Sequence, residues 1–485
     1  MNFARDVVDR APADRLALVE LSREGGRTEW SFGEVADRSG RLAGRLAAEG
    51  VTRGDVVMTL IGSRAEWVLT MVACFRIGAV ALPCNEQLRA RDLGVRLRSA
   101  RPQLIVADER NLGELAEAGP ECAVLTIPDE RLFDATPAPA AELDANDPCL
   151  IVFTSGTTGE PKGIVHGQRY LPGQRLQADH WLGAGDGDLV WCTAASGWSK
   201  SARNVFIAPW LRGAAALLHD ARFDPIERLE VLERERVNVL CMAPTEYRVI
   251  AKRAEIRALP ALRELVAAGE ALNPEVIRAF REATGIEIRD GYGQTETGQM
   301  TGNPVGRAVR PGSMGLPLPG VRLAVKDGEL VLEDPGSDPT FFVGYLGGAP
   351  APETTRWRTG DRVVQDEDGY LYFEGRTDDV IISAGYRIGP FEVESALVSH
   401  PAVAEAAVVA APDDERGAIV RAIVVLRDGF SPSDDLARML QEHARRETAP
   451  YKYPRVVDFA SELPKTASGK VKRAVLRSAP PGARP

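Results

Sequence analysis

The chain has 485 residues, 44% hydrophobic and 26% charged, which are ordinary proportions for a globular protein; the length is too great for one compact core. Its 59 Lys and Arg against 69 Asp and Glu leave a net charge of −10, which argues against nucleic acid as the main partner because a phosphate backbone selects a basic face. An anionic ligand would therefore have to meet a locally positive cleft.

The first segment, MNFARDVVDRAPADR, mixes acids with bases and lacks the apolar stretch of a signal peptide. The sequence then runs VVMTLIG, SRAEWVLTMVACFRIG and AVALPCN, a strand, a helix and a strand. Repeated units of this kind predict parallel strands covered on both faces. The most apolar early run, Trp67 to Phe75, is too short to span a bilayer and is followed by Arg76. Cys74, Cys84, Cys122, Cys149, Cys192 and Cys241 are scattered, mostly in apolar runs and without a CxxC pair, so they read as buried reduced thiols. A cytoplasmic protein with no membrane span is expected.

Between Phe153 and Gly163 stands FTSGTTGEPKG, an apolar strand running into a loop of Thr154, Ser155, Gly156, Thr157 and Thr158 that closes on Lys162. Glycines let backbone N–H groups approach phosphate oxygens, hydroxyls add neutral donors, and the lysine adds one mobile charge, so the loop suits a polyphosphate. It differs from the Walker loop, since Lys162 follows Pro161 and precedes Gly163 and is not pre-set at a helix start. His166, just beyond, titrates near neutrality in general but has no acid or thiol beside it in sequence, and is expected to line the cleft or pack under the loop.

Two more strand–helix units follow, VNVLCMAP with TEYRVIAKRAE, and LRELVAAGEAL with NPEVIRAFREATG. In the second, Asn273 is placed to cap the helix, Pro274 suits its first turn, Val276, Ile277 and Phe280 form one stripe, and Gly285 closes it. The strand IEIRDGY then carries Tyr292 to the edge of the sheet. After Gly315, VRLAV and ELVLE joined by Lys326, Asp327 and Gly328 predict a hairpin and a small β subdomain. From Asp378 a compact mixed α/β segment runs to about Arg473, and the SAPPGARP tail has a disordered composition. The fold class is α/β.

The phosphate loop is followed by AGEAL at Ala268 to Leu272, DGYGQTETG at Asp290 to Gly298, RTGD at Arg358 to Asp361, GRTDDVIISAGYRIGPFEVE at Gly375 to Glu394, and PKTASGK at Pro464 to Lys470. In that order and spacing these motifs resemble the adenylate-forming superfamily of acyl-CoA synthetases, adenylation domains and luciferases, from Asn2 through Arg473. The resemblance implies a large N-terminal domain of doubly wound sheets plus a small β subdomain over residues 1–377. It also implies a small mobile α+β C-terminal domain over residues 378–485, with Asp378 as the hinge. The implied chemistry uses ATP, magnesium and CoA: a carboxylate attacks the α-phosphate, giving an acyl-adenylate and pyrophosphate, and a thiol then displaces AMP. Such steps build negative charge on oxygens and need preorganised donors or cations.

Carried over residue by residue, Lys470 resembles the lysine that bridges carboxylate and α-phosphate, and Glu296 resembles the magnesium ligand, assisted by Thr295 and Thr158. Asp361 resembles the acceptor for both ribose hydroxyls and Arg376 an arginine on the phosphates. Gly269, Glu270, Ala271, Asp290, Gly291 and Tyr292 resemble the walls of the adenine slot. In AGYRIG, Gly385 would line the pantetheine passage and Arg387 would support the thiol-transfer conformer. Gly293 occupies the place where acetate-activating relatives carry a tryptophan that closes the acyl pocket, so an acid larger than acetate is implied. Ser196 to His219 resembles the medium-chain acyl-CoA synthetases, with Trp198, Val205, Phe206 and Tyr247 as pocket candidates that read equally well as core. An enzyme that loads the phosphopantetheine arm of an acyl carrier protein shares these motifs, whereas a non-catalytic nucleotide- or acyl-binding protein would be expected to have lost some of Lys162, Glu296, Asp361, Asp378 and Lys470, all of which are present.

Overall fold

The computed structural model describes residues 1–154, 161–270, 272–348, 350–351, 354–383, 386–413, 416–449, 451–465 and 471–478, the side chain of Arg387 aside. Two large sheets form the N-terminal part. One has nine strands in the spatial order 316–317, 298–302, 288–294, 264–268, 239–242, 189–192, 215–219, 16–21 and 27–31. The other has seven, in the order 344–345, 162–167, 148–154, 80–84, 56–60, 104–108 and 123–127. The central pairs of both sheets are parallel; antiparallel strands close both edges of the nine-stranded sheet and one edge of the seven-stranded sheet, whose other edge strand, 123–127, is parallel to its neighbour.

Leu18, Val190 and Val239 of the first sheet share one core with Val57, Val106 and Val152 of the second. The helix Ala65–Ile77 is embedded in that core, with eleven of its thirteen residues buried. This explains why its sequence is apolar all round and shows no polar face. Further helices cover the outer faces. Leu229, Ile250, Ile277 and Phe280 pack on the nine-stranded sheet, and Leu93 and Leu115 pack on the seven-stranded one. Helices on both faces of each sheet are the doubly wound arrangement expected from the alternating sequence.

The helix Pro274–Thr284 buries Val276, Ile277 and Phe280, and Gly285 ends it at φ +76°. Asn273 occupies the capping position, but its side chain makes no capping hydrogen bond, so Pro274 and the burial stripe carry the start of this helix. Tyr292 does not lie at the sheet's edge. Strand Ile288–Gln294 is covered by two antiparallel strands beyond it, because Gly298 at φ +67° turns the chain back upon it. A third, four-stranded sheet joins strands 323–326, 329–333, 356–365 and 371–376. Asp327 and Gly328, at φ +54° and +78°, form its two-residue turn, while Lys326 pairs with Glu329 inside the ladder.

The C-terminal part is a three-stranded sheet, 403–413, 417–426 and 456–460, packed with helices 390–398 and 434–447 around Val393, Leu397, Val424 and Leu440. All six cysteines are free, five of them buried. Among the described residues no helix is long and apolar enough to cross a membrane.

Candidate active site

The sequence motifs gather at the carboxyl ends of parallel strands, where open α/β sheets bind their ligands. Strands 264–268 and 288–294 are neighbours, with Ala268 in register with Gly291. Gly269 and Glu270 thus emerge beside Tyr292. Gly269 adopts φ +103°, a backbone conformation that favours glycine, and a Cβ there would lie 2.8 Å from the tip of the Lys200 side chain. Lys200 Nζ donates to the Ala268 carbonyl at 2.5 Å. Glu270 is fixed by Thr245 Oγ1 at 2.7 Å and Arg248 Nη2 at 2.9 Å. Asp290 is buried beneath them and accepts the Gly291 N–H at 2.9 Å. Burial pushes its carboxyl well above the usual range. A Cβ on Gly291 would come within 2.7 Å of Trp181 Nε1, so this glycine serves packing beneath the slot. Ala271 lies outside the described residues.

Asp361 is the centre of a polar cluster. One oxygen accepts from Arg376 Nη1 at 3.2 Å; the other accepts from Tyr292 Oη and from Gln294 Nε2 at 3.0 Å. Gln294 is held in turn by Trp357 Nε1 at 3.1 Å. Buried to 5% exposure and anchored on three sides, Asp361 is a fixed acceptor of the kind that a ribose diol requires. Burial and the Asp361 charge together push the Tyr292 hydroxyl well above its ordinary value, so Tyr292 remains a donor. Arg376 also reaches Asp378 through Nε at 3.3 Å. Burial opposes its charge, but the two carboxylates outweigh that and raise its basicity.

Strand 148–154 ends at Thr154, which pairs directly with Lys162 on the returning antiparallel strand. The lysine therefore sits at the start of an antiparallel strand and not at a helix start, as its flanking Pro161 and Gly163 implied. Ser155, Gly156, Thr157 and Thr158 lie outside the described residues. Lys162 Nζ stands 5.8 Å from the centre of the Tyr345 ring, and the Tyr345 hydroxyl points at Glu296 Oε1, 3.4 Å away. Lys162 and Glu296 are thus brought to two sides of one tyrosine, beside a cleft of about 330 Å³ lined by Phe153, Pro161, Lys162 and Tyr345. Burial raises the Glu296 carboxyl above its ordinary range, and that long contact is its one side-chain partner among the described residues. An oxygen donor in that condition fits a hard divalent cation, whose charge would favour the anion. Burial and Glu296 likewise push the Tyr345 hydroxyl up to about 12.

The hydrogen-bond partners change sides at the expected hinge. Arg376 is tied to Asp361, whereas Asp379 is tied to Arg477 at 2.7 Å and Arg473 at 3.8 Å, both on the last helix. Arg473 also holds Glu394 at 2.8 Å. Asp378 lies between these sets with its side chain 54% exposed. Gly385 and Lys470 fall outside the described residues, as does the Arg387 side chain.

The acyl-pocket candidates divide. Tyr247 is wholly buried, packs edge-on against Phe280, and donates to the Leu240 and Val266 carbonyls at 3.2 and 3.1 Å, so it is core and not pocket wall. Phe206, 0% exposed and packed between Trp67 and Trp210, and Val205 are core as well. Trp198 remains half-buried. Gly293 is explained by backbone approach: a Cβ would fall onto the Gly298 carbonyl and lie 2.9 Å from Gln299 Cα. Gly293→Ala is therefore expected to destabilise the fold by about 1–3 kcal/mol, read as a lower urea midpoint, without reordering the acids accepted.

His166 is fully buried and stacks on Tyr170 at 4.0 Å. Its ring faces the Thr295 backbone without a hydrogen bond of normal geometry. Burial, with Arg203 and Arg169 adding repulsion, lowers it from 6.5 to about 3, so it stays neutral and is no acid–base catalyst. Between those values the unfolded chain binds a proton that the native state refuses, and stability is lost as pH falls below 6.5. His166→Phe is expected to flatten the fall of the urea midpoint between about pH 7 and pH 4.

Tyr345, Gln294, Trp357 and Asp379 were absent from the sequence-based set. Gln294 and Asp379 lie inside quoted motifs without being singled out there, while Tyr345 and Trp357 take their places from pairing across long sequence separations that leaves no local signal.

Residues 4–337 match the family model of the AMP-binding enzyme, and residues 392–470 match that of the AMP-binding enzyme C-terminal domain. The chain is 38% identical to the uncharacterized acyl-CoA ligase YtcI of Bacillus subtilis, over 96% of this chain and 93% of that protein. It is 39% identical to the mitochondrial acyl-coenzyme A synthetase ACSM4 of Homo sapiens, over 98% of this chain and 90% of that protein. Among solved structures, an anthranilate CoA ligase in complex with anthranoyl-AMP matches with a TM-score of 0.89 at 29% identity, over 99% of this chain and 97% of that one. The chain belongs to the AMP-binding enzyme family and is an acyl-CoA synthetase of the adenylate-forming superfamily.

Proposed function

We propose that this acyl-CoA synthetase activates a carboxylic acid larger than acetate in a magnesium-dependent step, then swings residues 378–485 about Asp378 to admit CoA. In the first step a carboxylate oxygen attacks the α-phosphorus and the bond to pyrophosphate breaks. In the second, sulfur attacks the acyl carbonyl, the bond to AMP breaks, and the thiol proton passes to solvent. Asp361 would hold the ribose diol, Gly269, Glu270 and Tyr292 the base, and Lys162 with Thr154 the terminal phosphates. Magnesium, when bound, would offset phosphate charge, and Glu296 with Thr295 would hold it. Lys470 would neutralise the charge that develops as carboxylate and α-phosphate approach.

The observation that carries this reading is Arg376, whose guanidinium spans Asp361 and Asp378 and so links the nucleotide pocket to the hinge. Size is argued from the residue type at position 293, a glycine where acetate-activating relatives carry the tryptophan that closes the acyl pocket; the packing on Gly298 accounts for the glycine and does not itself measure the pocket. The likeness to medium-chain synthetases supports an acid of intermediate length, and the free thiols support a reducing, cytoplasmic setting. The test is pyrophosphate release over a panel of acids with free CoA, with a holo acyl carrier protein, and with neither. We expect turnover with CoA to exceed turnover with the carrier. Faster release with acetate than with every larger acid would overturn the size reading, and product only on the carrier would overturn the acceptor.

A further inference from the structure

Arg203, on the helical turn Arg203–Ile207, is 3% exposed. No carboxylate lies within ion-pair distance among the described residues, its Nε and Nη1 are buried without a hydrogen-bond partner, and the side chain reaches only the neutral hydroxyl of Tyr170. A guanidinium keeps its charge in proteins, and stranding one in the interior is costly unless an acceptor arrives. Its neighbours supply no anion. They are His166, an anion in neither of its ordinary forms, Tyr170, whose hydroxyl burial keeps protonated, and Cys241, whose thiol the Cys192 hydrogen bond and burial keep protonated. Both His166 ring nitrogens are also unpartnered, and that ring faces the backbone of Thr295, next to Glu296. Lys200, three residues before Arg203, also has no carboxylate partner there and meets only a backbone carbonyl at the end of strand 264–268.

One ring therefore separates an uncompensated cation from the candidate metal carboxylate's own loop. A hydrocarbon chain would leave the guanidinium unsatisfied, whereas an oxygen acceptor on the substrate would satisfy it. We propose that Arg203 is a specificity-determining residue that binds a second oxygen function of the acid, so that the preferred substrate carries a hydroxyl, oxo or carboxylate group beyond its reacting carboxyl. This rests on the acyl-CoA synthetase reading above and adds the chemical class of the acid.

The test is ATP-dependent pyrophosphate release with matched pairs: hexanoate against 6-hydroxyhexanoate and adipate, and benzoate against its hydroxy- and carboxy-substituted forms. We expect the wild type to favour at least one oxygenated member over its hydrocarbon partner by about tenfold or more in kcat/KM, carried mainly in KM. Arg203→Met should erase that preference while keeping turnover of the hydrocarbon acid, and Arg203→Lys should restore part of it. The charged and neutral oxygen arms separate a second carboxylate from a hydroxyl. Wild type that uses the hydrocarbon acids as well as all their oxygenated partners overturns the assignment, and this ranking decides even where the methionine variant fails to fold. Absence of pyrophosphate release with every acid refutes the parent reading instead.

Discussion

Glu296→Gln is expected to lower the rate of pyrophosphate–ATP exchange by about a hundredfold or more, and to shift the magnesium dependence to higher concentration. The amide keeps the shape of the side chain and its contact with Tyr345 but removes the charge that a hard cation selects. Stability should move the other way. Burial already disfavours the Glu296 anion, and its one side-chain contact among the described residues is the long one from Tyr345, so a neutral isostere relieves that penalty. Unfolding midpoints of the variant should therefore equal or exceed those of the wild type. Together the measurements separate a metal ligand from a structural carboxylate, because a structural one would lose stability with activity. A variant with normal exchange at low magnesium would sink the assignment.

The order of strands and helices was legible because each element announces itself locally. The interior helix Ala65–Ile77 lacks a polar face, and Asp327–Gly328 carries the positive φ values that a tight hairpin demands. Gly269 and Gly291, read from the resemblance alone as walls of an adenine slot, stand where the backbone conformation at the first and close packing at the second favour glycine. What sequence could not convey is which side of a sheet a large side chain chooses. Tyr247 and Phe206 lie in segments that resemble pocket-forming ones, yet both close the core. Gly293 was read as open space for a substrate, whereas its backbone is pressed against Gly298. Tyr345 was invisible, because strand 344–345 is only two residues long and finds Lys162 and Glu296 through tertiary pairing alone.

Lys470→Ala is expected to slow formation of the acyl-adenylate by about a hundred- to a thousandfold, while transfer from a supplied acyl-adenylate to CoA stays within about threefold of wild type. The two half-reactions ask for different things at the same carbonyl. Adenylation brings a carboxylate up to a triphosphate, where an ammonium group offsets repulsion between like charges. Thiol transfer instead needs room for a nucleophile and has an anion to release. A residue that served both would have to stand in the sulfur's path. The arrangement around Asp378 fits a division of labour, because Arg376 belongs to the nucleotide side and Asp379 to the last helix through Arg473 and Arg477. Rotation at the residue between them can move the C-terminal part without dismantling either set of ion pairs. Rapid-quench measurement of each half-reaction in the alanine variant checks this, and equal loss in both would mean that one fixed arrangement carries out the entire reaction.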